Sequence, residues 1–513
     1  MAKSLMRSTT LFSCNTFLSR VLGFVRDIIF AHYFGDSAAF DAFLVAFKIP
    51  NFMRRLFAEG AFSQAFVPVL SEYREQCSHQ DVRNFINDMA GSLGAALLLV
   101  TIAAVLLAPL IISVFAPGFL HDALRFSLAT GMLRITFSYL LLISLTALCS
   151  AILNTYDSFG VPAFTPVLLN VVLIIMAVFV SAHFTTPEYA LAWGVFIAGV
   201  VQLLFQLPFL KHKDLLPKPK IKFNDPGVRR VLKLMAPAIF GVSVAQVSLL
   251  LDTIFASFLK TGSITWLYFS DRLMNFPLGV FGVAIATVVL PKLSRQHVGN
   301  NYTDYSKTLD WGLRLLLLIG IPSAIGILIL AGPLLSTLFQ GKAFDAFAVI
   351  MSRRSLMAFA LGIQAFMLVK VLASGFYARQ DIKTPVKIAV IAMITNMTLN
   401  FILIFPLKHA GLALATTITG FLNAGLLLTI LLYRKIYHPQ PGWLLYFARL
   451  MLANIVMAVF LFFVAGSLDI WLQQHLLWKI YHLAFLLIVG AAIYFIVLWI
   501  SGLRLRHLRE SIS

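Results

Sequence analysis

Acidic residues are scarce in this chain: 21 Asp and Glu among 513 residues, against 40 Lys and Arg. Charged residues of both signs make up only 12%, against about 25% in an ordinary soluble domain. Such a deficit excludes a water-soluble globular fold. Cysteine is nearly absent too, with three residues at 14, 77 and 149 in no metal-ligand spacing, which excludes a disulfide framework and a thiolate metal centre. Nor is there a polar interval longer than roughly twenty residues, so no soluble catalytic domain is inserted between the apolar segments. A membrane enzyme acting on polyprenyl phosphates would need paired acids for a metal, or a base and nucleophile in an exposed loop. The connections contain no HExxH pattern, no P-loop and no cluster of acids, and the eleven histidines are scattered. The expectation is a protein that is not an enzyme.

What remains is apolar: 60% of the residues are hydrophobic. Stretches of membrane length recur throughout, predicting an all-α polytopic membrane protein of about 14 transmembrane helices. They fall over residues 9–34, 38–73, 85–115, 123–153, 160–183, 188–210, 229–259, 263–293, 308–338, 345–377, 384–406, 409–433, 443–465 and 478–502. The second is too long for one straight span, and Pro50 followed by Gly60 predicts a break in it. The N-terminus runs into the first span without a small-residue cleavage site, so that span is read as uncleaved.

The formal charge of +19 lies largely in short connections. There it orients helices, and no nucleic-acid partner is implied. With the N-terminus in the cytoplasm, 22 Lys and Arg fall in cytoplasmic connections and 5 in the opposite ones. The positive-inside rule therefore places both termini in the cytoplasm. The basic segment KHKDLLPKPKIKFNDPGVRR, residues 211–230, reads as a cytoplasmic linker between two halves, and its lysines equally suit anionic lipid.

Two halves are visible in the sequence itself. DIIFAHYF from Asp27 recurs as DTIFASFL from Asp252, FVPVLS ending at Ser71 recurs as VLPKLS ending at Ser294, and NTYDSFGVP from Asn154 recurs as YARQDIKTP from Tyr377. The offsets are 225, 223 and 223, in chain order, as a duplicated six-helix unit requires. An even number of spans per unit makes the repeats parallel, related by an axis along the membrane normal. The expected organisation is an N-terminal lobe over 1–210, a linker over 211–228, a C-terminal lobe over 229–436, and a helix pair over 437–513 outside the duplication. Two such six-helix lobes frame a central cavity that opens to either side as they rock.

Charges inside the spans carry the functional reading. Arg20 and Arg26 fall in the first helix, Asp41 in the second, Arg54, Arg55 and Glu59 near its break, Arg272 beside Asp271 in the eighth, and Lys370 in the tenth. Each costs about 2.5–3.5 kcal/mol at mid-helix if it faces lipid, so they must face protein or water. Internal ion pairs, such as Arg20 with Asp27 seven residues on, account for any one of them about as well as a binding role does. Taken together, cations outnumber acids on helices from both repeats, which implies an anionic substrate. Arginine's planar fork suits phosphate in particular. At 100° per residue Arg20 and Arg26 diverge by about 120°, so they do not share one narrow stripe. Asp252, the i, i+4 pair Asn396 and Asn400, and Thr416 bring four oxygen-bearing side chains to the second half. They suit a sodium ion, or equally an aspartate hydrogen-bonded to neighbouring amides. No other cofactor is expected.

SRVLGFVRD, DAFLVAFKIPNFMRRLFAEGAFSQAFVPV, FSDRLMNFPLGVFGVAIATVVLP and GFYARQDIKTPVK closely resemble the signature segments of the MviN/MurJ lipid II flippases. That family is a branch of the MOP superfamily, which also contains multidrug exporters and polysaccharide flippases. The resemblance covers essentially the whole chain. It implies two six-helix lobes and a C-terminal pair that forms a groove for a polyprenyl tail. It implies movement of lipid II, the undecaprenyl-diphosphate-linked peptidoglycan precursor, from the inner to the outer leaflet of the bacterial inner membrane. The family's substrate-handling arginines match Arg20, Arg26, Arg54 and Arg272, and its other functional positions match Asp41, Glu59 and Lys370. Some members bind sodium at positions matching Asp252, Asn396, Asn400 and Thr416. Some carry an acid where this chain has Asn275, which removes that partner from Arg272. Partners implied are lipid II and the membrane, with cell-wall synthesis proteins as further candidates. A flippase for another polyprenyl-diphosphate-linked saccharide fits the charge equally well, whereas a MATE-like multidrug exporter should offer acids to cationic drugs.

Overall fold

The computed structural model describes residues 2–56 and 62–503, and the side chains of residues 2–13, 236–238 and 240–249 are outside the description. All regular structure among the described residues is helical. In chain order the helices are α1 Ala2–Phe34, α2 Ala38–Met53, α3 Ser63–Gln76, α4 His79–Leu106, α5 Ala108–Phe115, α6 Ala123–Thr136, α7 Tyr139–Thr155, α8 Gly160–Ile175 and α9 Tyr189–His212. There follow α10 Pro226–Ser257, α11 Ser263–Pro277, α12 Val283–Val298, α13 Tyr302–Leu338, α14 Ala346–Tyr377, α15 Lys383–Tyr433, α16 Trp443–Ala465, the single turn and a half of α17 Leu468–Gln473, and α18 Leu476–Ile500. Ten stretches among the described residues are long and apolar enough to cross a bilayer. The other predicted spans are covered by α1, by α2 with α3, and by α10, while α15 runs through two of them.

Local chemistry sets the helix ends. Ser37, Ser78, Asp122, Asp225 and Asp345 each accept a backbone N–H from the first turn that follows, which supplies a partner to a donor the helix cannot satisfy. In the second predicted span α2 runs through Pro50 to Met53, a wider π turn begins at Arg54 and α3 starts at Ser63, while Gly60 lies outside the described residues. Inside α15 the chain reverses at Lys408 (φ 52°, ψ −130°), directly after Pro406 and Leu407. A Cβ at Gly411 would lie 2.3 Å from the Leu403 carbonyl oxygen, so glycine is what lets the two arms of α15 meet.

The duplication reappears in the backbone. Asp157 and Gln380 both have φ of 60°, and Asp214 and Lys435 have φ of 55° and 53°. Each is the left-handed residue of a helix C-cap closed in the same way. Ser158 donates to Leu153 O and Asp381 to Phe376 O, while Leu215 donates to Leu210 O and Ile436 to Leu431 O. A π turn, Leu278–Gly282, follows α11 as one follows α2. Pro68 in α3 and Pro291 in α12 are 223 residues apart and each lies inside a continuous helix.

By compactness the chain divides into two units, Met1–Ile264 and Thr265–Ser513. In the first, α1 packs on α8, α2 on α6, and α7 on α9. An apolar core around Phe62, Phe66, Phe85, Ile152 and Leu210 joins α3, α4, α7 and α9 to the start of α10. In the second, α12, α13, α14 and α15 enclose a core that includes Leu309, Leu316, Ile363, Met367 and Phe376. The α16 and α18 pair covers α13 through Leu450, Met457, Leu486 and Tyr494.

The segment before α10 is a strap laid over α4. Pro217 and Pro219 have no N–H, and the amides that alternate with them are the ones used. Lys218 N donates to Asn87 Oδ1 at 2.6 Å, Lys220 N to Asn87 O at 3.0 Å and Lys222 N to Ser92 Oγ at 3.1 Å. Lys222 Nζ lies 3.6 Å from the buried Asp88 carboxylate. A Cβ at Gly91 would stand 2.2–2.5 Å from the Lys220 backbone, so Gly91→Ala is expected to lift the strap and forfeit three hydrogen bonds of about 0.5–1.5 kcal/mol each. Trypsin should then cut after Lys220 and Lys222 several times faster than in the unaltered protein. An unchanged cleavage rate would show that the strap does not depend on this contact.

Candidate functional site

On α1, Ser19, Gly23 and Arg26 are spaced four and three residues apart and share one face, which the helix turns toward α8. Arg26 is 7% exposed and Asp27 2%. Nε and Nη2 of Arg26 donate to Asp27 Oδ1 at 3.0 and 2.6 Å, and Nη1 donates to Asn170 Oδ1 of α8 at 3.0 Å. The guanidinium also lies 5.4 Å from the centre of the Phe30 ring. Asp27 is therefore the partner of its neighbour Arg26, and of the two readings open for Arg20 the ion pair with Asp27 is not formed. Arg20 is exposed and, among the described residues, makes no ion pair or hydrogen bond. The divergence expected from the helical wheel is realised as one arginine held and one presented.

Asp41, in the first turn of α2, is completely buried, and its Oδ2 accepts the backbone N–H of Gly262 at 2.7 Å. Nearby contacts of the same kind hold the end of α10 in the first unit. Gly118 N donates to Ser257 Oγ at 3.0 Å, and Arg125 Nη1 donates to Leu259 O at 3.2 Å while Arg125 Nε pairs with Asp122 at 2.7 Å. The Arg125 backbone N–H, outweighing some burial and helped by the Arg125 guanidinium, holds the Asp122 carboxyl below the usual aspartate range.

Arg54 Nε and Nη2 donate to Asn51 Oδ1 at 3.0 and 2.8 Å, and Arg55 is exposed. Glu59 lies outside the described residues. In the second unit Arg272 is half-buried, with Nη2 3.2 Å from Tyr268 Oη and the guanidinium 4.8 Å from the Tyr268 ring centre. Asn275 Nδ2 donates to Asp271 O at 2.9 Å. Lys370 is exposed on α14.

Three of the four predicted cation ligands meet within the second unit. Asn400 Nδ2 donates to Asn396 Oδ1 at 3.0 Å, and Asn396 Nδ2 donates to the hydroxyls of Thr416 and Thr419 at 3.4 and 3.5 Å. Asp252 belongs to α10, in the first unit. Among the described residues no three His, Cys, Asp or Glu side chains are placed to hold a metal. The three side chains that the second unit brings together are neutral, which suits a monovalent cation better than a divalent one, which wants carboxylates.

The sequence reading passed over a second buried charge centre. Asp310 of α13 is 3% exposed and pairs with Arg314 Nε at 2.7 Å. Its other carboxylate oxygen accepts Tyr437 Oη at 2.6 Å, Trp443 Nε1 at 2.8 Å and Gln440 N at 3.1 Å. Arg314 Nη2 reaches the carbonyls of Gln440 and Pro441, and its guanidinium faces the rings of Trp443 and Tyr446. The only sequence signal was the i, i+4 Asp–Arg spacing. At the other end of the pair Lys479, predicted at the edge of a connection, is buried in α18 and donates to Gln340 Oε1 at 2.7 Å.

Duplicated all-helical spans of membrane length, with arginines kept inside them, define a polytopic membrane carrier. The chain belongs to the MurJ family: the profile described as "Lipid II flippase MurJ" matches residues 30–482. A "Probable lipid II flippase MurJ" of Haemophilus influenzae is 46% identical over 96% of this chain and 99% of its own length. The "Lipid II flippase MurJ" of Burkholderia cenocepacia is 44% identical over 99% of both. Among solved structures, "Lipid II flippase MurJ, inward closed conformation" is similar with a TM-score of 0.80 at 28% identity, covering 95% of this chain and 98% of that one. An inward-facing MATE multidrug transporter of the MOP superfamily aligns with a TM-score of 0.65 at 13% identity, over 82% of this chain and 95% of its own, and shares the fold.

Proposed function

We infer that this protein moves lipid II from the inner to the outer leaflet of the bacterial cytoplasmic membrane by alternating access. Membership of the lipid II flippase family along nearly the whole chain carries the reading. Its physics is that of a diphosphate entering a low-dielectric path: cations must accompany it, and Arg20, Arg26, Arg54 and Arg272 supply them. The lipid tail travels beside α16 and α18. Both termini lie in the cytoplasm, the side that the 22 to 5 bias of basic residues assigns to them. An inside-negative potential then favours outward movement by about 2.3 kcal/mol per charge per 100 mV. Sodium binds Asn396, Asn400 and Thr416 in exchange for their mutual hydrogen bonds and resets the carrier.

Depletion in the native cell tests the function. Lipid II should accumulate in the inner leaflet, and this gene should restore its export. In sealed vesicles, flipping that continued unchanged after the potential was collapsed would remove the energetic part of the proposal and leave the activity standing.

A further inference from the structure

We propose that Asn170 positions Arg26 for the diphosphate. The inference rests on the reading that Arg26 handles substrate, and adds the residue that fixes where its guanidinium points. Asn170 is 6% exposed on α8 and lies across the Ser19, Gly23, Arg26 face of α1. Its Oδ1 takes Arg26 Nη1 at 3.0 Å, and its Nδ2 donates to Ser19 O at 3.0 Å and to Pro166 O at 3.4 Å. Asn170 also supplies the nearest atoms to the place where a Gly23 side chain would begin, at 3.6–3.9 Å. One amide thus grips the eight residues Ser19–Arg26 of α1 at both ends and ties them to its own helix.

The chemistry of the amide matters. Arginine has a long side chain, and Asp27 takes its Nε and Nη2 edge on Oδ1. The contact from Asn170 to Nη1 holds the guanidinium from the opposite side. It does so without charge. Asp27 already balances Arg26, so a second acid here would make the locality anionic and repel a phosphate. A neutral acceptor fixes orientation while leaving the electrostatics as they were, which is what a preorganised anion ligand needs.

Two variants of the full chain separate positioning from packing. Phenylglyoxal modification of individual arginines, followed by mass spectrometry, reports how tightly each guanidinium is held, and Arg20 serves as the internal reference. Flipping of lipid II in reconstituted vesicles, measured against lipid II concentration, reports substrate handling. In Asn170→Leu, which keeps the branched skeleton but cannot accept, Arg26 should react about fivefold faster, the factor for one lost hydrogen bond. Arg20 should be unchanged, and the half-saturating lipid II concentration should rise. In Asn170→Asp, which keeps the contact to Nη1, Arg26 should react no faster than in the unaltered protein, yet half-saturation should still rise. A packing role does not produce that split. Wild-type reactivity of Arg26 in Asn170→Leu, or wild-type half-saturation in Asn170→Asp, overturns the proposal while Arg26→Ala remains inactive. Should Arg26→Ala itself flip lipid II normally, the substrate role of Arg26 fails and the proposal falls with it, a result distinct from the first. If Asn170→Leu does not accumulate in the membrane, the Asn170→Asp measurement decides alone.

Discussion

Replacing Arg20, Arg26 and Arg272 together by alanine is expected to abolish rescue of a cell depleted of its lipid II flippase, with the protein still present in the membrane. Hydrogen bonds to a charged group are worth about 1.5–3 kcal/mol each, so losing one from each of three arginines weakens diphosphate binding by at least about a thousandfold. The three do not stand on equal ground. Arg26 is paired with a buried Asp27, and its removal leaves that carboxylate uncompensated, so part of the loss is structural. Arg20 is exposed, its removal costs no packing, and Arg20→Ala alone is the cleanest measure of substrate handling. Rescue by the triple variant would sink the assignment of these arginines while leaving the function intact.

Asp310→Ala should be the most damaging single change to stability. It removes the acid from a buried pair and three further donors' acceptor at once. Breaking a buried ion pair by deleting one partner costs about 3–5 kcal/mol, and here the stranded groups all belong to the join between α13 and α16. The expected result is a sharp fall in thermal unfolding temperature in detergent, together with rapid proteolysis of the 437–442 connection. Asp310→Asn, isosteric and able to accept two of those bonds, should lose clearly less. If both variants unfold with the parent, the cluster does not anchor the C-terminal pair.

Much of this was readable from the chain alone. The repeat and the bias of basic residues follow from spacing and charge, which act locally or additively. Side-chain partnership was harder to read. Seven residues of helix put Arg20 and Asp27 on one face, yet Asp27 went to Arg26, because an arginine is long enough to fold back on its neighbour once an amide from α8 holds its far nitrogen. Nothing in α1 announces Asn170, 144 residues away. The docking of α10 through Gly118, Ser257, Asp41 and Gly262 is likewise made by backbone groups, whose partners composition does not encode. Asp310 stood in plain view as half of an i, i+4 pair, but its three other donors come from a connection and the first residue of α16, more than 120 residues on.

The paired helix caps have a practical meaning for anyone who alters this molecule. Asp157 and Gln380 occupy one turn made twice, as do Asp214 and Lys435. Whatever is done to one copy has an untouched twin in the same polypeptide, in the same membrane and at the same concentration. Each flippase molecule thus carries its own control, and a difference between its two turns belongs to their surroundings rather than to the turn.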